Sequence, residues 1–155
     1  SPQTHLWLIK VWFSASTFVV KIATFAKPEN VRCNYMILEC YKILKQIEQR
    51  PAMWTGEATL KSINNYCNGY YNALVDNGIV SHSNEPFFDW VAKKLGYYES
   101  TAGWANMILA YCMGFEPKDI IWEVVFATTV TKEQHLKSIS YFYELVEEFM
   151  KEIER

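Results

Sequence analysis

The sequence predicts an all-α protein, a single compact bundle of about five or six helices. Apolar residues recur at helical spacing in most segments from Met36 onwards. Glycine follows three of these segments, at Gly78, Gly96 and Gly114, as is common just beyond a helix end. Half of the 155 residues are hydrophobic and 16% are aromatic, which is enough to form a buried core. We therefore expect one helical domain over residues 36–155.

Residues 1–35 form an atypical apolar N-terminal extension of uncertain structure. The run from Leu6 to Ala26 contains only two charged residues, Lys10 and Lys21. Its length could span a bilayer, but the two lysines and several Ser and Thr residues weaken that interpretation. Its β-branched and aromatic content is equally suited to a hairpin. We expect the natural domain to begin near Met36, the first methionine, with the upstream part a leader, an anchor or a native extension.

Two helices are predicted in the first half of the domain. Met36–Gln49 carries an apolar stripe at helical spacing, and a second stripe runs from Ala58 to Asn77. Gly69 lies in the middle of the second helix, where glycine costs about 1 kcal/mol relative to alanine. We therefore expect another backbone to cross close to Gly69.

Three asparagines lie on one face of the second helix. Asn64, Asn68 and Asn72 are spaced at i, i+4 and i+8, although asparagine is a poor helix former. They form either a solvated face or an amide ladder that meets a partner or a polar helix crossing.

The stretch Arg50–Glu57 separates these two helices. Pro51 lacks an amide hydrogen and disfavours a helical conformation at Arg50, so the first helix should end there. Met53 and Trp54 are too apolar for a solvated loop, and we expect them to fold back into the groove between the helices. The stretch is either a structural corner or a binding surface built around Arg50 and Trp54, since both residue types are enriched at interface hot spots.

Residues that commonly begin or end helices occur in the middle of the domain. Pro86 suits the first turn of a helix that ends at Gly96. Ser100 or Thr101 should cap the next helix, which ends at Gly114. Residues 120–130 fit either a strand or a short helix, and we favour a short helix through about Thr128.

The last helix should begin at Thr131, where Gln134 completes a capping box. Its apolar residues repeat at alternating spacings of three and four, a pattern that predicts packing along another helix: Leu136, Ile139, Tyr143, Val146, Met150 and Ile153.

The outer face of the last helix carries a column of carboxylates. Glu144, Glu148 and Glu152 stack at i, i+4 and i+8, where like charges repel by a few tenths of a kcal/mol per pair. The column is either an ordinary solubilising face or a negative surface for a basic partner.

Charge and cysteine usage restrict the function classes. Residues 36–155 hold 11 basic and 16 acidic side chains, so this domain repels phosphate backbones and nucleic acid is not an expected partner. The cysteines show no C-x-x-C pairing and the histidines are far apart, so neither a metal nor another cofactor is expected. Cys40, Cys67 and Cys112 fall on apolar stripes and suit reduced core residues of a cytoplasmic protein.

The sequence contains no recognisable catalytic signature, and we do not expect an enzyme. Phosphate-binding, dinucleotide-binding, zinc-protease and serine-hydrolase motifs are absent from the sequence. The rival hypothesis is an acid–base site that uses His82, Asp89 or Ser100, for which mutual geometry is the test.

Several motifs together resemble a group of small bacterial proteins. They are Arg50-Pro51-x-Met53-Trp54-x-Gly56, Asn68-Gly69-Tyr70, Phe88-x-Trp90-Val91 and Thr101-Ala102-Gly103-Trp104-Ala105, followed by an acidic and aromatic C-terminal helix over Tyr141–Glu154. The group carries an R-P-x-M-[YW]-x-G motif and is similar to cytosolic immunity proteins encoded beside polymorphic or contact-dependent toxins. The resemblance covers about residues 36–154 and leaves residues 1–35 unmatched.

This resemblance implies an immunity-type inhibitor that binds and neutralises a cognate bacterial toxin domain. Its partner would be a protein, a basic toxin domain facing Glu144, Glu148 and Glu152, with Arg50 and Trp54 as lesser candidates. No membrane is expected as a partner unless residues 6–26 act as an anchor. The alternative is a small-ligand or regulatory binding module without catalysis, with a pocket among three aromatic residues: Tyr70, Trp90 and Trp104.

Overall fold

The computed structural model describes residues 32–33, 35–97 and 102–154. Within these ranges the fold is all-α, as the sequence predicts, with seven α-helices and a single pair of two-residue strands. The helices are α1 (Met36–Gln49), α2 (Pro51–Thr55), α3 (Leu60–Asp76), α4 (Pro86–Leu95), α5 (Trp104–Met113), α6 (Trp122–Ala127) and α7 (Lys132–Ile153). A 3-10 helix at Pro117–Asp119 precedes α6.

The strand pair joins two distant parts of the chain. β1 (Arg32–Cys33) runs parallel to β2 (Val80–Ser81), with Arg32 opposite Val80 and Cys33 opposite Ser81. Two residues of the predicted extension therefore pair with the loop between α3 and α4. The hairpin and membrane-span interpretations of residues 6–26 lie outside the described residues, and the domain boundary near Met36 stays a prediction. No helix in the described ranges is long and apolar enough to cross a membrane.

The additional helix, relative to the five or six expected, arises in the Arg50–Glu57 stretch. Pro51 opens α2, and the hydroxyl of Thr55 donates to the carbonyl of Pro51 at 3.0 Å, closing a single turn and a half. Met53 is 67% exposed, so the expectation that it folds into the groove is wrong, whereas Trp54 does pack against the core. Met53 and Trp54 lie on different faces of this short helix, so the two side chains cannot both fold into the groove.

Local capping residues set most of the other boundaries. Thr59 caps α3 by accepting from the Ser62 amide at 3.1 Å, so this helix begins two residues later than predicted. The capping box of Thr131 and Gln134 is present at the start of α7, and α6 is the short helix favoured above. Gly69 is exposed and has no atom near the position of an added Cβ, so the predicted close crossing is wrong.

The N-terminus of α5 differs from the sequence interpretation. Ser100 and Thr101 lie outside the described residues, and the residue in the cap position is Gly103. Its φ of 83° is a backbone conformation that side chains other than glycine rarely adopt. The positive φ explains why glycine occupies this position beside a bulky Trp104.

The core is an aromatic cluster formed where α4, α5 and α7 meet. Trp104 stacks on Phe142 with ring centroids 4.8 Å apart, and Phe87 meets both rings edge-on. Phe149 contacts Phe87 at 5.2 Å. All four side chains are buried, and edge-to-face and offset-stacked arrangements add stability beyond the buried area.

A second set of buried contacts brings α1 and α3 into the core. The hydroxyl of Tyr143 donates to the carbonyl of Leu44 at 3.0 Å and so fixes α7 against α1. The Cys40 thiol lies 3.6 Å from the carbonyl of Cys67, and both cysteines are buried, while Cys112 is half-buried. The hydrogen bond to Cys67 and burial raise the pKa of Cys40, so this thiol remains protonated and behaves as a core residue. The expectation of core cysteines is confirmed for Cys40 and Cys67.

We predict that the aromatic cluster dominates stability. Phe142→Ala should lower the free energy of unfolding by about 3–5 kcal/mol, because it leaves a cavity among packed rings. Leu136→Ala is the matched control on the same helix, since Leu136 is 49% exposed, and it should cost less than about 1 kcal/mol. Urea denaturation measures both values, and equal losses would contradict the assignment of the core.

Candidate functional site

A cleft with a volume of about 590 Å³ opens on the described surface. Its wall on one side is α3, its floor includes the first residue of α1, and its other side combines α4 with the start of α5. Residues 82–85, which link β2 to α4, form the rim. We call this feature the amide cleft. A cavity of this size falls in the range typical of small-ligand sites.

Asparagine side chains dominate its polar lining. Asn64, Asn68 and Asn72 face the cleft from α3, and Asn84 faces it from the rim. None of these four amides makes a side-chain hydrogen bond with a described residue. Each amide offers one acceptor oxygen and two donor hydrogens. The asparagine column is thus the wall of a cleft, and its hydrogen-bonding groups are available to a bound molecule.

Two carboxylates, Asp89 and Glu85, lie in the same cleft. They differ in the number of hydrogen bonds that they already accept from the protein. Asp89, in the first turn of α4, is exposed and forms no ion pair or hydrogen bond with a described residue. Glu85 caps α4, and its Oε1 accepts from the Phe87 amide at 3.2 Å. Within the described residues, the lining contains no lysine or arginine to balance these charges. The described part of the lining of the amide cleft is therefore acidic.

Glu85 joins the N-termini of two helices. Its second oxygen, Oε2, accepts from the amide of Ile37 at 3.4 Å, although Ile37 is 48 residues away in sequence. Tyr35, the residue in the cap position of α1, makes no capping hydrogen bond of its own, so Glu85 supplies that cap. Burial raises the pKa of Glu85, and hydrogen bonds from the Phe87, Met36 and Ile37 amides oppose the rise.

Aromatic residues complete the lining of the cleft. Phe88 and Trp104 form part of the wall, and Trp104 continues into the core through its stack on Phe142. The hydroxyl of Tyr71 donates to the carbonyl of Ser81 and accepts from the amide of Ser83, both at 3.3 Å. Tyr71 therefore holds the rim against α3.

The structure corrects the pocket predicted among Tyr70, Trp90 and Trp104. Of these three residues only Trp104 lines the amide cleft. The tyrosine that lines it is Tyr71 and not Tyr70. Trp90 packs instead on Phe149, with ring centroids 5.6 Å apart. The helical turn of α3 separates Tyr70 from Tyr71 by about 100°, so adjacent tyrosines face different surroundings.

Two of the three residues in the acid–base hypothesis share the cleft. His82 and Asp89 both line it, while Ser100 lies outside the described residues. The His82 ring contacts Tyr71 edge-on, with centroids 6.3 Å apart. The expectation that the protein is not an enzyme stays a prediction.

The glutamate column predicted on the last helix lies on the exposed face of α7. Glu148 pairs with Lys94 of α4, and Glu152 accepts from the indole N–H of Trp90 at 2.7 Å. Glu144 is exposed and has no hydrogen bond or ion pair with a described residue. The column is therefore divided, with one carboxylate open to solvent and two oriented by α4.

A neighbouring carboxylate on α7 contacts a different helix. Glu147 pairs with Lys45 and accepts from the hydroxyl of Tyr41 at 2.9 Å, so it connects α7 to α1. The hydrogen bond from Lys45 is the main reason that the pKa of Glu147 is lowered.

Arg50 and Trp54, the remaining predicted contact residues, line one shallow hollow of about 320 Å³. Gln46 and Gln49 of α1 and the exposed Met53 complete it. The structure thus brings Arg50 and Trp54 together, on a part of the surface that shares no lining residue with the amide cleft.

Comparison with protein-family models, with curated proteins and with solved structures gave no match. The resemblance to immunity proteins therefore stays an expectation.

We predict that Glu85 makes stability depend on pH. Burial raises its pKa, so the folded state binds this proton more tightly than the unfolded state does. The wild type should therefore lose stability relative to Glu85→Gln as the pH rises from about 4 through the raised pKa. Urea denaturation between about pH 4 and 7 measures the difference.

The controls separate this charge effect from the loss of the cap. Glu123→Gln, at an exposed position on α6, should follow the wild-type pH trend. Glu85→Ala removes both acceptors and should cost about 1–2 kcal/mol. A wild-type and a Glu85→Gln protein with identical pH trends would refute the prediction.

Proposed function

We propose that this protein is an immunity-type inhibitor, which binds a cognate basic toxin domain through the carboxylates on the exposed face of α7. The observation that carries the proposal is the state of those carboxylates. Glu144 is open to solvent, and Glu148 and Glu152 are already oriented by Lys94 and Trp90. Side chains held in place lose less conformational entropy when a partner binds.

The anchoring of α7 also supports this proposal. The opposite side of the helix is buried in the core through Phe142, Leu145 and Phe149, so the acidic face is presented on a rigid element. Between residues 144 and 154 the helix and its cap carry five acids and one lysine, and Lys45 and Lys94 pair with two of these acids, which leaves a net charge of −2. A concentrated charge of this sign accelerates encounter with a positively charged protein.

Co-expression tests the proposal directly. The genes immediately upstream and downstream of the gene for this protein are each expressed with and without it, and survival and co-purification are measured. We expect protection and a stable complex. A toxin that kills equally well in both cultures, with no complex recovered, would refute the inhibitor role.

Charge reversal tests the surface. Glu144→Lys should slow association with the toxin severalfold at low salt, and the effect should fade as ionic strength rises, because exposed charges are screened. Glu133→Lys makes the same charge change on the same face in the first turn of α7, about 16 Å along the axis from Glu144, and serves as the matched control. Stopped-flow association rates measure both variants. An equal effect of the two substitutions would place the contact elsewhere.

A second candidate function is a small-ligand or regulatory binding module without catalysis. The amide cleft favours it, because four amides and one carboxylate in its lining make no hydrogen bond with described residues. Polar groups that converge in a cleft fix the orientation of a ligand.

Thermal unfolding in the presence of a compound panel tests this second function. A ligand that binds only the folded state raises the melting temperature, by an amount that grows with its concentration over its Kd. We expect at least one polar compound to stabilise the wild type but not Asn68→Lys, which places a long side chain in the cleft. A panel without any stabilising compound would contradict this function.

A further inference from the structure

We propose that the amide cleft binds a guanidinium group. The proposal rests on the second candidate function, binding in the cleft, and it names the chemical class of the ligand. It involves no residue of α7, because the lining comes from α1, α3, α4, α5 and the rim. It therefore stands or falls separately from the inhibitor role of the α7 face.

The charge of the lining selects a cation. Asp89 has no partner among the described residues, and Glu85 lies nearby with its oxygens engaged by backbone amides. No lysine or arginine from the described chain enters the cleft. An anionic ligand would meet this lining without a fixed positive charge to offset Asp89, whereas a cation would pair with it.

The hydrogen-bonding groups favour guanidinium over a simple ammonium ion. Guanidinium presents five N–H donors in one plane and has no acceptor, so it requires several oxygens arranged around it. The asparagine oxygens of α3 and the rim, together with the carboxylate of Asp89, supply such acceptors on more than one wall. An ammonium ion carries only three donors on a compact head and would leave more of these acceptors unused.

The aromatic lining points to the same ligand. Tyr71, Phe88 and Trp104 all border the cleft, and a planar guanidinium packs well on aromatic rings. Trp104 is fixed by its stack on Phe142, and Tyr71 by its hydrogen bonds to the rim. Because Tyr71 and Trp104 are almost fully buried, the half-buried Phe88 is the lining ring with the most area open to a flat cation.

Titration of the full chain with capped arginine, N-acetyl-arginine methylamide, tests the proposal. The neutral control is N-acetyl-citrulline methylamide, which has nearly the same shape but carries a urea group in place of guanidinium. We expect capped arginine to bind and to raise the melting temperature, and the citrulline compound to bind at least about tenfold more weakly. Equal binding of the two compounds, or binding of neither, would overturn the proposal.

Two variants locate the site. Asp89→Asn should weaken capped arginine about tenfold, since it removes the carboxylate that pairs with the cation. Asp119→Asn is the matched control, because Asp119 is exposed and lies outside the lining. Asn68→Lys should abolish binding by placing a positive charge in the cleft, and lysine is a good helix former at this exposed position. Unchanged affinity in both Asp89→Asn and Asn68→Lys would refute the assignment.

A comparison with free L-arginine identifies the source of the guanidinium. Tighter binding of the capped compound, which lacks the free carboxylate that Asp89 would repel, indicates an arginine side chain of a protein partner. Tighter binding of free L-arginine indicates a small molecule. If neutral compounds stabilise the protein and neither arginine compound does, the proposed binding function is supported and the guanidinium assignment is refuted. If no compound binds, both the binding function and the guanidinium assignment are refuted.

Discussion

The packing of Phe87, Trp104, Phe142 and Phe149 is the interaction on which the rest of the structure depends. These rings come from α4, α5 and α7. At the surface, α4 and α7 are also joined by Lys94 with Glu148 and by Trp90 with Glu152. Rings of this size bury large apolar areas and restrict the relative orientation of the helices that carry them. Both candidate binding surfaces are built on the outside of this cluster.

Two tryptophans, Trp104 within the cluster and Trp90 beside it, show how core packing determines each surface. Trp104 stacks on Phe142 within the core and also borders the amide cleft. Trp90 packs on Phe149, and its indole N–H holds Glu152 on the face of α7. Each indole packs against the core and also reaches a candidate binding surface, so the geometry of that surface follows from the packing of the core.

Helix boundaries could be predicted from the sequence because their determinants are local. Thr131 with Gln134, Pro86 and Gly96 each act within about one turn of the helix end, and each was found where expected. The cleft could not be predicted, because it depends on distant contacts. The asparagine column gave a signal for one wall, whereas the only sequence signal for Glu85 is its position before Pro86, which is compatible with a cap. Its bond to Ile37 depends on tertiary structure, as does the exposure of Gly69 and Met53.

The short segment between β2 and α4 is restrained at both ends and in the middle. β2 is paired with β1 before it, Pro86 fixes the backbone after it, and the Tyr71 hydroxyl holds the amide of Ser83. A four-residue segment restrained in this way loses little conformational entropy when a ligand binds. A ligand that binds at this edge of the molecule should therefore find a preformed site, and the backbone of the segment should have nearly the same conformation in the free and the bound protein.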